Sequence, residues 1–234
     1  IKVNMKNILL IGGSYGIGLA IAKELQYECK IFIAARTNEL SSDLNITYIP
    51  FDATTDEFDT SKIPAVLDGL VYCPGSINLR PFKGIKPETF ESDLNLNFIS
   101  LVKVIQTVLP NLIASEQSSI VLFSSVAASM GMPFHTSVAA SKGAIEGFAK
   151  ALAAEYAPKI RVNVIAPSLT DTPLADKFLN NDVKKEKSAE RHPLKRFGKP
   201  EDLAQMAQFL LSDKSSWITG QIFHVDGGMS TLLV

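Results

Sequence analysis

The sequence is poor in the residues that usually hold metal-dependent or disulfide-stapled folds together. Its 234 residues include two cysteines, Cys29 and Cys73. They stand far apart, in or beside apolar runs, and read as buried thiols in a reducing compartment rather than as a disulfide. Three histidines without short Cys or His spacing give no metal-ligand pattern, so no metal is expected. An excess of one charge is lacking too: 23 Lys and Arg stand against 24 Asp and Glu, a net charge of −1. No basic stripe stands out, and no nucleic-acid partner is expected. The Lys184-Lys185-Glu186-Lys187 run is mixed in sign and reads as a solvated surface. No apolar run is read as long enough to span a membrane; the longest windows, such as Ile8 to Ile11, have strand length, and no membrane partner is expected. No signal-peptide pattern is read ahead of the first strand, so the chain reads as cytoplasmic. Ile1 to Asn4 can be native or added residues.

What is present is an ordinary globular mixture, 46% hydrophobic and 20% charged, long enough to bury a large core. Strand and helix patterns alternate from end to end. Strands are expected at Asn7 to Ile11, Ile31 to Ala35, Ile46 to Phe51, Leu70 to Cys73, Ile120 to Phe123, Arg161 to Ala166 and Gln221 to Val225. Helices are expected at Ile17 to Leu25, about Glu88 to Ala114, Ser137 to Glu155 and Glu201 to Leu211. Alternation of this kind predicts an α/β fold with a Rossmann-type doubly wound parallel sheet in three layers. With no linker, repeat or low-complexity tract, residues 1–234 read as one domain. The segments Asn38 to Asn45 and Thr54 to Asp68 are short for full crossovers and predict truncated helices. A polar stretch, Leu169 to Pro193, follows a strand end, where α/β sheets bind ligands, and reads as a mobile substrate loop or a plain surface insertion.

The glycine-rich turn carries the first functional signal. Gly12-Gly13-Ser14-Tyr15-Gly16-Ile17-Gly18 lies between the first strand and first helix. Glycines allow a tight turn and close approach of phosphates, and the helix N-terminus offers free N–H groups. An NAD-specific site commonly has an acid at the end of the second strand; here Ala35 and Arg36 stand there. A guanidinium pairs well with a 2′-phosphate, so NADP(H) is expected over NAD(H), with Ser14 and Arg36 near the phosphate.

The spacing Gly12-x-x-x-Gly16-x-Gly18 resembles the short-chain dehydrogenase/reductase family. The resemblance extends through Asp52, Gly75, Asn97, Ser124-Ser125, Ser141-Lys142, Arg161 to Pro167, Thr172, the run Pro193 to Asp202, Thr219-Gly220 and Val225 to Gly228. It implies that Asp52 contacts the adenine edge and that Gly75 lets the ribose pass. It also implies cofactor contacts from Lys142, Pro167 and Thr172, the last to the carboxamide. Ser125, Lys142 and Asn97 fall on the family's catalytic serine, lysine and asparagine. The catalytic tyrosine falls on Val138, one helical turn before Lys142, and valine cannot donate a proton.

Three readings follow from the resemblance. His135, seven residues before Lys142, takes the tyrosine's place as the acid, as divergent enoyl reductases place their tyrosine early. Alternatively the substrate is an enoyl or dienoyl thioester that needs no strong acid there. Or the chain binds NADP(H) without turnover, as a regulator or scaffold. The expected substrate is a small apolar carbonyl or enoyl compound. Met130, Met132 and Phe134 are read as an apolar wall on its side, or as loop packing, while His192 and His224 read as structural. The resemblance also implies that the long helix near Glu88 and the Lys142 helix pair across a twofold axis, giving a homotetramer or homodimer.

Overall fold

The computed structural model describes residues 5–39 and 46–233. Among them, seven strands form one wholly parallel sheet in the order β3-β2-β1-β4-β5-β6-β7. They are β1 (Lys6–Ile11), β2 (Cys29–Ala35), β3 (Ile46–Pro50), β4 (Gly69–Tyr72), β5 (Ser118–Phe123), β6 (Ile160–Pro167) and β7 (Ile222–Val225). The helices are α1 (Gly16–Leu25), α2 (Pro87–Leu94), α3 (Ser100–Ala114), α4 (Thr136–Tyr156), α5 (Asp176–Leu179), α6 (Asp182–Glu190) and α7 (Pro200–Leu211). This is the three-layer doubly wound fold that the strand-helix alternation predicts.

The central strands are continuous apolar runs because both faces are covered. Successive side chains point to opposite faces, and the two cores divide accordingly. Leu9, Ile11, Leu70, Tyr72, Ile120, Leu122, Val162 and Val164 pack with α3 and α4 residues. Ile8, Leu10, Val71, Val121, Phe123 and Ile165 pack with α1 and α7 residues on the other side. Helix α3 contributes Leu101, Val104, Ile105, Val108 and Leu112, one stripe at helical spacing. Both cysteines are free; Cys29 is buried and Cys73 half-buried.

One expectation changes. Thr54 to Asp68 carries no truncated α-helix but one 3₁₀ turn, Thr60–Lys62, capped by Asp59. The link from β3 to β4 instead drops Phe58, Ile63 and Leu67 onto the core, and Phe58 meets Phe51 edge-on at 5.1 Å. The companion expectation at Asn38 to Asn45 lies outside the described residues from position 40 on, as does Ile1 to Asn4. The continuous helix Pro87–Ala114 contains an 18-residue window of mean hydropathy 1.5, so by length and composition alone it meets the requirement for a membrane span. Its apolar stripe is already used against the sheet.

β1 is the switch point of the sheet: the chain builds outward through β2 and β3, then crosses back to β4 on its other side. A crevice therefore opens beyond the carboxyl ends of β1 and β4.

Candidate active site

That crevice is a cleft of about 470 Å³, lined by the glycine turn, the ends of β2 to β4, Leu96, Thr172 and Leu174. It brings together Gly12, Ser14, Tyr15, Gly16, Ile17, Gly18, Arg36, Asp52 and Gly75, nine of the predicted cofactor residues, and adds Thr172 from the far side. The turn is tight because Gly12 adopts φ +78°, a conformation side chains with a Cβ resist. Gly18 lets α1 lie against the turn: a Cβ there would come within 2.6 Å of the Gly12 carbonyl oxygen. Tyr15 caps α1 without a side-chain hydrogen bond, so this helix end carries unsatisfied N–H groups facing the cleft.

Arg36 is exposed at one end of the cleft, near Asp52. Asp52 accepts from the Thr54 hydroxyl at 2.6 Å and the Thr54 N–H at 2.9 Å. Those two bonds hold its carboxyl below the usual range, against a small desolvation effect and with help from Arg36.

Beside Gly75, and outside the residues that line the cleft, stands Lys142, on α4 and 7% exposed. Its ammonium donates to the Phe123 carbonyl at 3.0 Å. Burial pushes its pKa down to about 8, while Cys73 and Asp93 pull upward. Gly75 admits it: a Cβ there would lie 3.3 Å from both Lys142 Nζ and Asn97 Oδ1. Asn97 sits in a π-helical turn, Asn95–Ile99, between α2 and α3. The Tyr72 hydroxyl fixes this turn by donating to the Leu96 carbonyl at 2.8 Å. Such turns are frequent at functional sites, and the uniform helical pattern of the sequence gives no sign of this one.

Ser125 follows β5 and caps a 3₁₀ turn, Val126–Ala128, its Oγ accepting from the Ala127 N–H at 3.2 Å. Ser124 is engaged elsewhere, donating to Glu146 at 2.6 Å. Val138 is buried, one turn before Lys142 on α4. His135 does not belong to α4. It is the residue before the first turn, with φ −101° and ψ 11°, and the seven-residue helical spacing to Lys142 does not carry it. Its Nδ1 lies 2.7 Å from the Pro133 carbonyl, and Phe134 before it is 53% exposed, outside the packed interior. Pro167 ends β6, and Ser168 after it meets His192 at 2.8 Å. The buried His192 is bound on its other nitrogen to the Ser188 carbonyl, which ties down the end of the loop. That loop is not featureless: it holds α5 and α6, and Lys177 donates to the carbonyl of Ile77, in the segment after β4, at 2.8 Å.

A set of polar residues that the sequence does not single out adjoins Asn97 and Lys142. Asp93, 1% exposed, accepts from Ser76 and Ser137, each at 2.5 Å, and from Asn78 at 2.7 Å. The available signal is an acid four residues before Asn97 on one helix face.

Comparison with known proteins agrees with this layout. A family model described as enoyl-(acyl carrier protein) reductase matches residues 12–230. The 3-oxoacyl-[acyl-carrier-protein] reductase FabG of Chlamydia trachomatis serovar D is 34% identical over 243 residues, covering 96% of this chain and 97% of that protein. The protein of the same name from Thermotoga maritima is 41% identical over 146 residues; that match spans 62% of this chain and 58% of the relative's length. The solved structure of ElxO with NADP bound superposes with a TM-score of 0.90 at 26% identity, over 98% of this chain and all of the other.

Proposed function

The chain belongs to the short-chain dehydrogenase/reductase family, and we propose that within it the protein is an NADPH-dependent reductase of a small apolar carbonyl or enoyl-thioester substrate. The observation that carries this reading is the cleft itself, with an exposed guanidinium at one end and a buried ammonium near the other. The FabG relatives and the NADP-bound ElxO support it by analogy.

The residues fit the cofactor. The helix α1 N-terminus, with Ser14, Tyr15, Gly16, Ile17 and Gly18, would hold the pyrophosphate. Arg36 would take the 2′-phosphate and Asp52 the adenine edge. Gly75 gives room for a ribose whose hydroxyls Lys142 would hold, while Pro167 and Thr172 would orient the carboxamide. When bound, NADPH supplies the hydride. Ser125 has its hydroxyl proton available while its oxygen accepts from Ala127, and it donates to the substrate oxygen as negative charge grows there. Asn97 holds the proton path beside Lys142. Val138 has no proton to give, so the proton comes from His135 or from water. An enoyl thioester suits this arrangement, because its enolate is stabilised by a hydrogen bond before it is protonated. Ile99 and Ile113, each more than two-fifths exposed on the long helix, support assembly of copies across that helix and α4.

Val138 also favours a second reading, a chain that holds NADPH without turnover. Calorimetric titration with NADPH and NADH, followed by a panel of carbonyl and enoyl thioester substrates, separates the two. NADPH is expected to bind at least ~10-fold tighter than NADH, and Arg36→Asp to reverse that order by removing the charge that pairs with the 2′-phosphate. Equal affinities would remove Arg36 from the cofactor site. Among active preparations, Ser125→Ala is expected to lower kcat ~100-fold, the scale of one lost oxyanion donor. His135→Ala is expected to lower kcat ~10-fold or more if the histidine is the acid, and unchanged activity assigns the proton to water.

A further inference from the structure

Asp93 is an acid with no place in the cofactor or substrate contacts described above, yet it is almost fully buried. A carboxylate in that setting needs partners, and three side chains from two parts of the chain supply them. Ser76 Oγ accepts from Asn97 Nδ2 at 2.9 Å, so its own proton points to Asp93 Oδ1. The Asn78 amide donates to the same oxygen, and Ser137, the residue before Val138, donates to Oδ2. Asn97 Nδ2 also donates to the Asp93 carbonyl at 2.8 Å. One side chain thus ties the loop after β4 to the first turn of α4 and to the π turn bearing Asn97.

The cluster adjoins Lys142 through Asn97: a Cβ on Gly75 would lie 3.3 Å from both Asn97 Oδ1 and Lys142 Nζ. The titratable groups that act on the ammonium are Cys73, at the end of β4, and Asp93, on α2. Burial pushes the Cys73 thiol up, toward its neutral form. β5 presents the Phe123 carbonyl, and Glu146, one turn further along α4, is engaged by Ser124. Asp52 and Arg36 line the opposite part of the cleft.

We propose that Asp93 is a positioning residue of the reducing site: it locks Asn97 in place through Ser76 and supplies the buried negative charge opposite the Lys142 ammonium. This rests on the cleft being the NADPH site, but half of the test needs no cofactor.

Asp93→Asn keeps the shape and removes the charge. NADPH affinity, read by fluorescence titration, is expected to stay within ~2-fold of wild type near pH 6.5 and to fall ~10-fold near pH 8.5, as loss of the counter-charge lets Lys142 shed its proton at lower pH. Ser137→Ala, which removes a hydrogen bond and no charge, is expected to change affinity equally at both values. A uniform loss for Asp93→Asn, or none, overturns the proposal. The cofactor-free half is a melting cycle with Asp93→Asn made in wild type and in Lys142→Met. The substitution is expected to cost about 5 °C more in wild type than in the Lys142→Met background, since only the wild type keeps an ammonium that needs the counter-charge. Should Asp93→Asn alone fail to fold, the double variant is expected to fold; equal damage in both backgrounds overturns the proposal. If wild type binds no NADPH while the cycle shows coupling, the cofactor reading fails and the pairing stands.

Discussion

Lys142→Met is expected to weaken NADPH binding ~100-fold while raising the melting temperature of the free protein. The first part follows from the ribose contacts assigned to the ammonium: hydrogen bonds to a charged group contribute about 1.5–3 kcal/mol each, and a net loss of about 3 kcal/mol is ~100-fold in affinity. The second part follows from burial. The ammonium is 7% exposed and donates to the Phe123 carbonyl. Desolvation brings its pKa to about 8, against 10.5 for the free side chain. Below pH 8 both folded and unfolded chains hold this proton, and the folded chain carries the full cost of the buried charge. Between about 8 and 10.5 the unfolded chain holds more protons, so stability rises with pH through that window. The difference corresponds to about 3 kcal/mol at neutral pH. Methionine removes that cost and leaves the Phe123 carbonyl without its charged donor, which returns about 2 kcal/mol. The net gain of about 1 kcal/mol predicts a rise of about 2–4 °C for a chain of this size. Melting at pH 7 and NADPH fluorescence titration on the same preparation check both parts. A fall in melting temperature would mean that Lys142 and its counter-charge stabilise the fold, and that burial is not the dominant effect.

How far the site can be read from the sequence follows from what kind of signal each part leaves. The glycine turn is legible because it combines a local composition with a local order, strand before and helix after, and the structure lines one cleft with it. The parallel sheet is legible because strands covered on both faces lose their alternation and become short apolar runs such as Ile8 to Ile11. Lys142 and Asn97 are reached only through family resemblance, since a lysine in an alanine-rich helix has no periodic signature of its burial. Asp93 is hidden for the same reason: in the stretch Pro87–Leu94 an acid looks like a solvated helix face. Its burial depends on Ser76, Asn78 and Ser137, which arrive from distant parts of the chain. Helix α6 leaves no signal because DVKKEKSAE has no apolar stripe; none of its residues is buried. Thr54 to Asp68 errs the other way, a helix expected where three widely spaced apolar residues are enough to close the core. The placement of His135 rests on counting residues along a helix that begins only after it.

Gly18→Ala is expected to cost about 2–3 kcal/mol of stability and to lower NADPH affinity by ~50-fold or more, a larger effect than its single methyl group suggests. The new Cβ would stand 2.6 Å from the Gly12 carbonyl oxygen and 2.7 Å from the Gly13 Cα. Both are main chain, so no flexible side chain can move aside. Relief requires that α1 lift from the turn or that the turn itself shift. Either motion changes the relation between the helix N-terminus and the loop, which is the geometry assigned to the pyrophosphate. Gly12 has little room to give, since its own position lies against the Pro74 ring and its φ of +78° is set by the turn. Gly84→Ala is the control: nothing stands within 4 Å of its added Cβ, and its φ is not in the left-handed region. It is expected to stay within about 0.5 kcal/mol of wild type and to bind NADPH unchanged. Denaturant midpoints and NADPH titrations on both variants make the comparison. If Gly18→Ala loses stability but keeps its affinity, the turn is a packing device and the phosphate must be held elsewhere. If it loses affinity far beyond its loss of stability, the contact between α1 and the glycine turn is part of the binding site.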